Sequence, residues 1–266
     1  MGYFAGRLAR LEQRVAITAS SRWHVKPIQA QAQRPIVSFT FDDVPDTAFT
    51  AGAAILEANG ARGTFYISGS LIGTAEPHRR LISAEQCLQL HRAGHEIGCH
   101  TFAHRRLRWW EGEDLEADIA RNQACFTDIA ADLKPSNFAY PYNTPTPSAK
   151  RVLAAGFQSC RAGIAGLNIG RIDLAMLKAV EICEDSADVA EAERWVAKAK
   201  SEGGWLIFIT HDVVKNPTRW GTDPDSFAAI VDYARQSGCE IATIRHALQL
   251  LQAPPSVQPM AGRTRA

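Results

Sequence analysis

The sequence predicts an α/β fold: a (β/α) barrel with seven or eight parallel strands, irregular in its closure, forming a single domain. Three observations carry this. Short β-rich runs alternate with helix-period segments along most of the chain. Glycine stands at the helix-to-strand turns, at Gly60, Gly94, Gly156, Gly203–Gly204 and Gly238, where a left-handed cap is expected. The strand candidates are in part continuous apolar runs, as parallel strands covered by helices should be. A doubly wound open sheet is the runner-up, but no glycine-rich phosphate loop follows the first strand.

In order, IVSFTF (36–41) is the first strand, followed by the helix DTAFTAGAAILEAN with Asp46 or Thr47 as its N-cap. ARGTFYIS (61–68) is the second strand, and SAEQCLQLHRA the next helix, opened by Ser83. HEIGCH (95–100) is strand-like and precedes the long amphipathic helix EGEDLEADIARNQACFTDIAADL. SNFAYPY (136–142) leads into PTPSAKRVLAA, and FQSCRA (157–162) and MLKAVEI (176–182) read as strands five and six. The helix DVAEAERWVAKAKSE, the strand WLIFITHD (205–212), the helix DPDSFAAIVDYARQS, the strand CEIATI (239–244) and the helix RHALQLLQ complete the series. Residues 1–34 read as a helix and linker, 35–250 as the barrel, and 251–266 as a flexible tail.

Charge excludes one class of function. Lys and Arg number 29 against 28 Asp and Glu, a net charge of +1, which lacks the basic excess of a general nucleic-acid binder. Six scattered cysteines form no CxxC pair, so a reducing compartment fits better than a disulfide framework. Arg7, Arg10, Glu12 and Arg14 interrupt any apolar leader core, and no window approaches the ~18 apolar residues of a membrane span. The expectation is a soluble, cytoplasmic protein; its oligomeric state is not legible.

Functional groups of parallel α/β folds collect at the C-terminal ends of strands. Strand one ends in Asp42-Asp43, strand three in CHTFAH with His100 and His104, strand four in YPYN, and strand seven in THD with His211. Two histidines and a carboxylate leave coordination positions open, as a catalytic metal site does. His95, His100 and His104 crowd ten residues, which strengthens that reading over two ordinary rim histidines. Neighbouring strand residues point to opposite faces, so Asp42 and Asp43 share a site only if the strand curls as it ends. One carboxylate then binds the metal and the other takes a proton from water. His211 at the same rim would serve as a general acid toward a leaving amine, and Asp212 as a loop cap.

These residues resemble the polysaccharide deacetylase (NodB-homology) family of metal-dependent carbohydrate esterases. TFDD (40–43), HTFAH (100–104), YPY (140–142) and ITHD (209–212) are similar to four of its ordered motifs, and the resemblance runs from about Ile36 to Leu248. It implies a distorted (β/α) barrel, with Asp42 as general base, Asp43, His100 and His104 as metal ligands, and His211 as general acid. Pro141 and Tyr142 would form the substrate and oxyanion side, Tyr142 offering its backbone N–H. The implied cofactor is a divalent ion, zinc first, with cobalt, iron or nickel compatible. The implied substrate is an acetylated amino sugar of an oligo- or polysaccharide. Alternatives are an O-acetyl esterase, a cyclic-amide hydrolase, or a non-catalytic carbohydrate-binding homologue.

Three positions depart from the family pattern: Val44 and Asn143 stand where Gly is usual, and Ala139 where an Arg orients the base. Arg161, at the end of strand five, is the candidate replacement, and Asp173 the candidate for the Asp that tunes the acid. Trp109, Trp110, Tyr142 and Trp220 are candidate stacking faces for sugar rings.

Overall fold

The computed structural model describes residues 15–110, 112–183 and 189–252. Of the tail expected over 251–266, Leu251 and Gln252 belong to the last helix, with Leu251 buried; 253–266 and the first fourteen residues lie outside the described residues.

In chain order the elements begin with helix α1 (15–22) and strands β1 (Pro27–Ala30) and β2 (Ile36–Asp42). A π-helical stretch, Ala48–Ala53, runs into α2 (Ala54–Ala58). Next come β3 (Thr64–Ile67), β4 (Ala75–Glu76), β5 (Arg79–Arg80), α3 (Ala84–Arg92) and β6 (Glu96–Cys99). They are followed by α4 (Gly112–Ile129), β7 (Asn137–Ala139), α5 (Pro147–Gly156), β8 (Ser159–Arg161), β9 (Gly170–Asp173) and β10 (Val180–Glu181). The last are α6 (Val189–Glu202), β11 (Trp205–Thr210), α7 (Pro224–Gln236), β12 (Glu240–Ile241) and α8 (Ile244–Gln252).

Seven parallel strands run in the order β10-β11-β2-β3-β6-β7-β8, and β12 pairs with β2 as the eighth. Strand β11 covers one edge of β2 from Ile36 to Phe41. The other edge is shared, with β12 at Ile36–Val37 and β3 at Thr40–Asp42. Between β8 and β10 the sheet is carried by one parallel bridge, Arg161 to Leu177, just before β10. Leu177 donates to the Cys160 carbonyl (2.8 Å) and accepts from Ala162 (2.9 Å). This is the distortion of the barrel: the segment 176–182, expected to be one strand, is strand only at Val180–Glu181.

Alternation along β2 sets the layers. Val37, Phe39 and Phe41 face the helices and pack with Phe65, Phe208 and Phe227, the Phe41 and Phe65 rings stacking at 4.5 Å. Ile36 faces the barrel interior with Trp205, Ile207, Ile209 and Tyr66. Asp42 therefore belongs to the inward row, at the open end of the barrel.

Local signals place most helices. Ser83 accepts from Gln86 N and the Gln86 side chain accepts from Ser83 N, a full capping box on α3. Thr146 and Asp223 cap α5 and α7, each followed by Pro. The expected cap at Asp46 or Thr47 does not form: Thr47 is already right-handed helical and makes no capping bond. Gly60, Gly94, Gly203 and Gly238 are left-handed as expected, but Gly156 is not; α5 ends into extended Phe157 instead.

The stretch before Arg34 is more than a helix and linker, because β1 pairs antiparallel with β9. No helix among the described residues is long and apolar enough to cross a membrane. All six cysteines are free.

Candidate active site

Strand β2 does curl as it ends. Asp43 and Val44 have φ of 57° and 56°, and Val44 N–H reaches back to the Asp42 carbonyl at 2.5 Å. The turn swings Asp43 out of the alternation, so both carboxylates face one cavity. Left-handed backbone costs a non-glycine residue roughly 1–2 kcal/mol, more for a β-branched side chain. Of the seven such residues described, six (Asp43, Val44, Thr101, His104, Tyr142 and Asn143) lie at this site. The packed barrel holds this strain where the chemistry is, a pattern of functional sites.

His100 and His104 come from the loop after β6. The Asp118 carboxylate on α4 accepts from Phe102 N (2.6 Å) and Ala103 N (3.1 Å), and Thr101 Oγ1 accepts from His104 N (3.0 Å). One turn further along α4, Asn122 ties Gly69 N and the Ile67 carbonyl, joining the loops after β3 and β6 to the same helix. His100 is buried, and its Nδ1–H donates to the Ala139 carbonyl at 2.9 Å. That bond leaves the Nε2 lone pair aimed at Asp43. Burial, with His104 nearby, pushes the His100 pKa down to about 4, so the ring is neutral at ordinary pH.

Asp43, His100 and His104 converge. Asp43 Oδ1 lies 2.9 Å from His104 Nε2 and 3.7 Å from His100 Nε2, and the three donor atoms fall within 4.8 Å of one another. Oδ1 is buried and none of these contacts has hydrogen-bond alignment. A buried acceptor without a donor, flanked by two imidazole nitrogens, fits a divalent ion held by two His and one carboxylate. Burial opposes ionisation of Asp43, but His104, then His211 and His100, hold its carboxyl far below the usual range.

Asp42 is bound differently. Arg161, fully buried, places Nη2 at 2.5 and 2.6 Å from the two Asp42 oxygens. Burial raises the Asp42 pKa, yet Arg161, with His100 and His211 behind it, brings the net below the ordinary value. Ala139 and Arg161 are register partners on β7 and β8. The guanidinium expected at 139 thus enters from the next strand at the same level, and the small Ala139 leaves it room. Arg161 Nη1 also reaches Asn143 Oδ1 at 3.4 Å, and Asn143 Nδ2 donates to Glu181 at 2.9 Å. Asn143 is left-handed (φ 52°), which explains why Gly or Asn suits it. Its amide packs where a Gly163 Cβ would stand, 2.2 Å from Asn143 Cγ, so Gly163 is the counterpart of that side chain.

His211 closes the cavity from the end of β11, its Nδ1 3.2 Å from the Trp220 carbonyl. Asp212 anchors the following loop, accepting from Thr218 N (2.7 Å) and Thr218 Oγ1 (2.6 Å). Asp173 does not tune His211. It pairs with Lys150 at 2.6 Å and accepts from Val25 N and Lys26 N, pinning the segment between α1 and β1. Lys150 Nζ also reaches the Ser20 and Trp23 carbonyls. A backbone carbonyl, not an aspartate, therefore orients the acid candidate. His95 is no part of the site either: it accepts from Gly63 N and bonds Glu57, behind the sheet.

Tyr142, after Pro141, sits in a short 3-10 turn whose bonds use the N–H groups of Asn143 and Thr144, leaving its own N–H outside them. Its ring lies 4.7 Å from that of His104. Tyr142 and Trp220 line the cavity, of about 580 Å³, together with Ile17 from α1. Trp110 packs instead in the core beside Leu107 and Leu115, and the side chain of Trp109 is outside the described residues.

Sequence reasoning missed Arg79. It lies on the β4–β5 hairpin and binds Asp43 Oδ2 at 2.9 Å and Glu76 at 2.7 Å. Two-residue strands leave no period to detect, so the hairpin had no signal.

Comparison with known proteins agrees with this geometry. The polysaccharide deacetylase family model matches residues 29–158, which contain the Asp-Asp, HxxxH and Tyr-Pro-Tyr segments. A probable peptidoglycan-N-acetylglucosamine deacetylase from Arthroderma benhamiae is 24% identical over 118 residues, covering 44% of this chain and 26% of that protein. A chitin deacetylase from Pestalotiopsis sp is 24% identical over 132 residues, covering 49% and 42%. The chain thus spans less than half the length of either relative. Among solved structures, the family 4 acetyl xylan esterase from Clostridium thermocellum, in complex with a cobalt ion, is 22% identical with a TM-score of 0.57. That alignment covers 82% of this chain and 93% of the esterase, and shows the fold. With its motifs gathered at one barrel mouth, the chain matches the polysaccharide deacetylase family over residues 29–158, the segment that holds three of them.

Proposed function

We propose that the protein is a metal-dependent hydrolase that removes N-acetyl groups from amino sugars of an oligo- or polysaccharide, releasing acetate. One observation carries the reading: three metal-competent donors within 4.8 Å of one another, beside a second carboxylate held separately by a buried arginine. The deacetylases named among the relatives support the same substrate class.

Asp43, His100 and His104 would hold the ion, zinc first among the candidates, and it would supply Lewis acidity toward the acyl carbonyl and the attacking water. Asp42 accepts the proton of that water. Arg161 keeps Asp42 ionised and fixes both of its oxygens, so the base does not rotate away. The Tyr142 N–H donates to the oxyanion as the carbonyl becomes tetrahedral, an interaction typically worth about 2.7–4 kcal/mol. His211 then protonates the leaving nitrogen. Its Nδ1–H bond to the Trp220 carbonyl fixes the ring and leaves Nε2 for the cavity. The carbon–nitrogen bond breaks, leaving acetate and a free amine.

The test is acetate release from N-acetylglucosamine oligomers with and without a chelator, repeated with Asp42→Asn. Release that the chelator stops, and that Asp42→Asn abolishes while metal content is kept, is the expected result. Release from acetylated xylan in place of the oligomers would transfer the reading to ester hydrolysis. Oligomer binding without release would leave a carbohydrate-binding homologue.

A further inference from the structure

Two arginines at the cavity mouth take no part in the chemistry above. Arg106 lies over the Tyr142 ring, its guanidinium carbon 4.3 Å from the centroid, and Arg219 lies over Trp220 at 4.0 Å. Both line the cavity that holds Asp42, His100 and His211. The rings beneath them are 45% and 42% exposed, so the stacks stand at the rim and not in the core. One adjoins a metal-ligand candidate, through the 4.7 Å contact of Tyr142 with His104. The other adjoins the acid candidate, whose Nδ1 meets the Trp220 carbonyl. The two guanidinium groups thus line one cavity, one beside a metal-ligand candidate and the other beside the acid candidate.

The acids at this mouth are already engaged. Asp42 is taken by Arg161, Asp43 and Glu76 share Arg79, and Glu181 accepts from Asn143. Among the described residues, neither Arg106 nor Arg219 has an acidic partner within ion-pair distance. Stacking fixes the plane of a guanidinium while leaving its N–H edge free, the geometry that receives oxyanions in a bidentate manner.

We propose that the Arg106–Tyr142 and Arg219–Trp220 stacks form an anion subsite, and that the acylated amino sugar enters this cavity next to a phosphate. Two forks with five donors each suit a group with three or more charged or polar oxygens; a single carboxylate would fill one fork and leave the other empty. A soluble sugar phosphate and a lipid-linked sugar diphosphate share this chemistry. The amino-sugar part of the proposal rests on the hydrolase reading, whereas the phosphate part does not.

The experiment measures calorimetric binding and acetate release side by side on the intact chain. The probes are N-acetylglucosamine 1-phosphate, the neutral methyl glycoside of N-acetylglucosamine, N-acetylmuramic acid as the carboxylate control, and prenyl-diphosphate-linked N-acetylglucosamine in detergent micelles. The expected result is binding of the phosphorylated sugar about tenfold or more tighter than the methyl glycoside, weakening as salt rises. Arg106→Gln with Arg219→Gln should bring that ratio to about one, and the two lysine substitutions should restore it in part. Tighter binding of the micellar lipid than of the soluble phosphate would assign the source as lipid-linked; the reverse would assign a soluble one. Arginine-dependent phosphate binding without acetate from any probe would leave the subsite standing and remove the deacetylase reading. Equal binding of neutral and phosphorylated sugars, a ratio that survives the double substitution, or a preference for the carboxylate overturns the proposal.

Discussion

Arg161→Met is the sharpest perturbation that the site offers. The guanidinium is fully buried and its Nη2 lies 2.5 and 2.6 Å from the two oxygens of Asp42. Removing it leaves a buried carboxylate uncompensated, a change that costs about 3–5 kcal/mol. At about 2–4 °C per kcal/mol for a chain of this size, Tm should fall by about 6–20 °C. The pH dependence has a definite sign. In the wild type the Asp42 pKa is below its unfolded value of about 3.9, so its stabilising contribution is present above that pH and is lost only as pH falls through the lower folded value. Without Arg161, burial is opposed only by His100 and His211, and the pKa rises from its wild-type value. The buried charge then destabilises the variant at neutral pH, and protonation relieves it on acidification. The stability gap between the two proteins should therefore narrow from pH 7 toward pH 4, read by urea unfolding across that range. Turnover at pH 7 should drop by about 10² or more, since a positioned base contributes about 10²–10⁴, and the acid limb of kcat/KM should move upward. Because Ala139 is the register partner of Arg161, Ala139→Arg combined with Arg161→Ala should recover turnover that Arg161→Ala alone loses. A variant with wild-type Tm and an unmoved acid limb would refute the role assigned to Arg161.

The other predictions concern the rest of the site and its supports. Metal-free protein should lose up to about 3 kcal/mol between pH 6.5 and pH 4, because a neutral His100 with pKa of about 4 must charge on unfolding; His100→Asn should flatten that slope in denaturant melts. Asp118→Ala removes the acceptor for two backbone N–H groups of the histidine loop, and should cost about 1–3 kcal/mol while weakening metal affinity measured by competitive chelation. Lys150→Met strands a buried Asp173, and should lower Tm and open residues 15–30 to proteolysis; the alkaline limb of the rate profile should not move, since Asp173 does not contact His211.

Much of this site was legible because its signals are local. Asp42-Asp43, the HxxxH spacing and Thr-His-Asp each end a run whose apolar character marks a strand, so position followed from strand order. Arg161 was within reach for the same reason: it ends its strand, and a cation was missing one strand away at Ala139. What failed was long-range. Asp173 stood as the candidate tuning acid, but it ends β9, which pairs with β1 outside the barrel, and its carboxylate serves Lys150. His95 lies near the other histidines in sequence, yet at the start of β6 it is a strand length from the mouth. The hairpin carrying Arg79 and the loops carrying Arg106 and Arg219 have neither period nor motif, so only tertiary packing brings them to the cavity. Strain at Val44 was also hidden, since a valine gives no sequence sign of a left-handed backbone.

Elemental analysis paired with acetate release addresses the central claim most directly. The chain reconstituted with zinc, and separately its His104→Ala variant, would be assayed for bound metal and for deacetylation of N-acetylglucosamine oligomers. One ion per chain in the parent, with metal and acetate release lost together in the variant, is the predicted outcome. A variant that keeps a full complement of metal, or a parent that deacetylates equally well after exhaustive chelation, would contradict it.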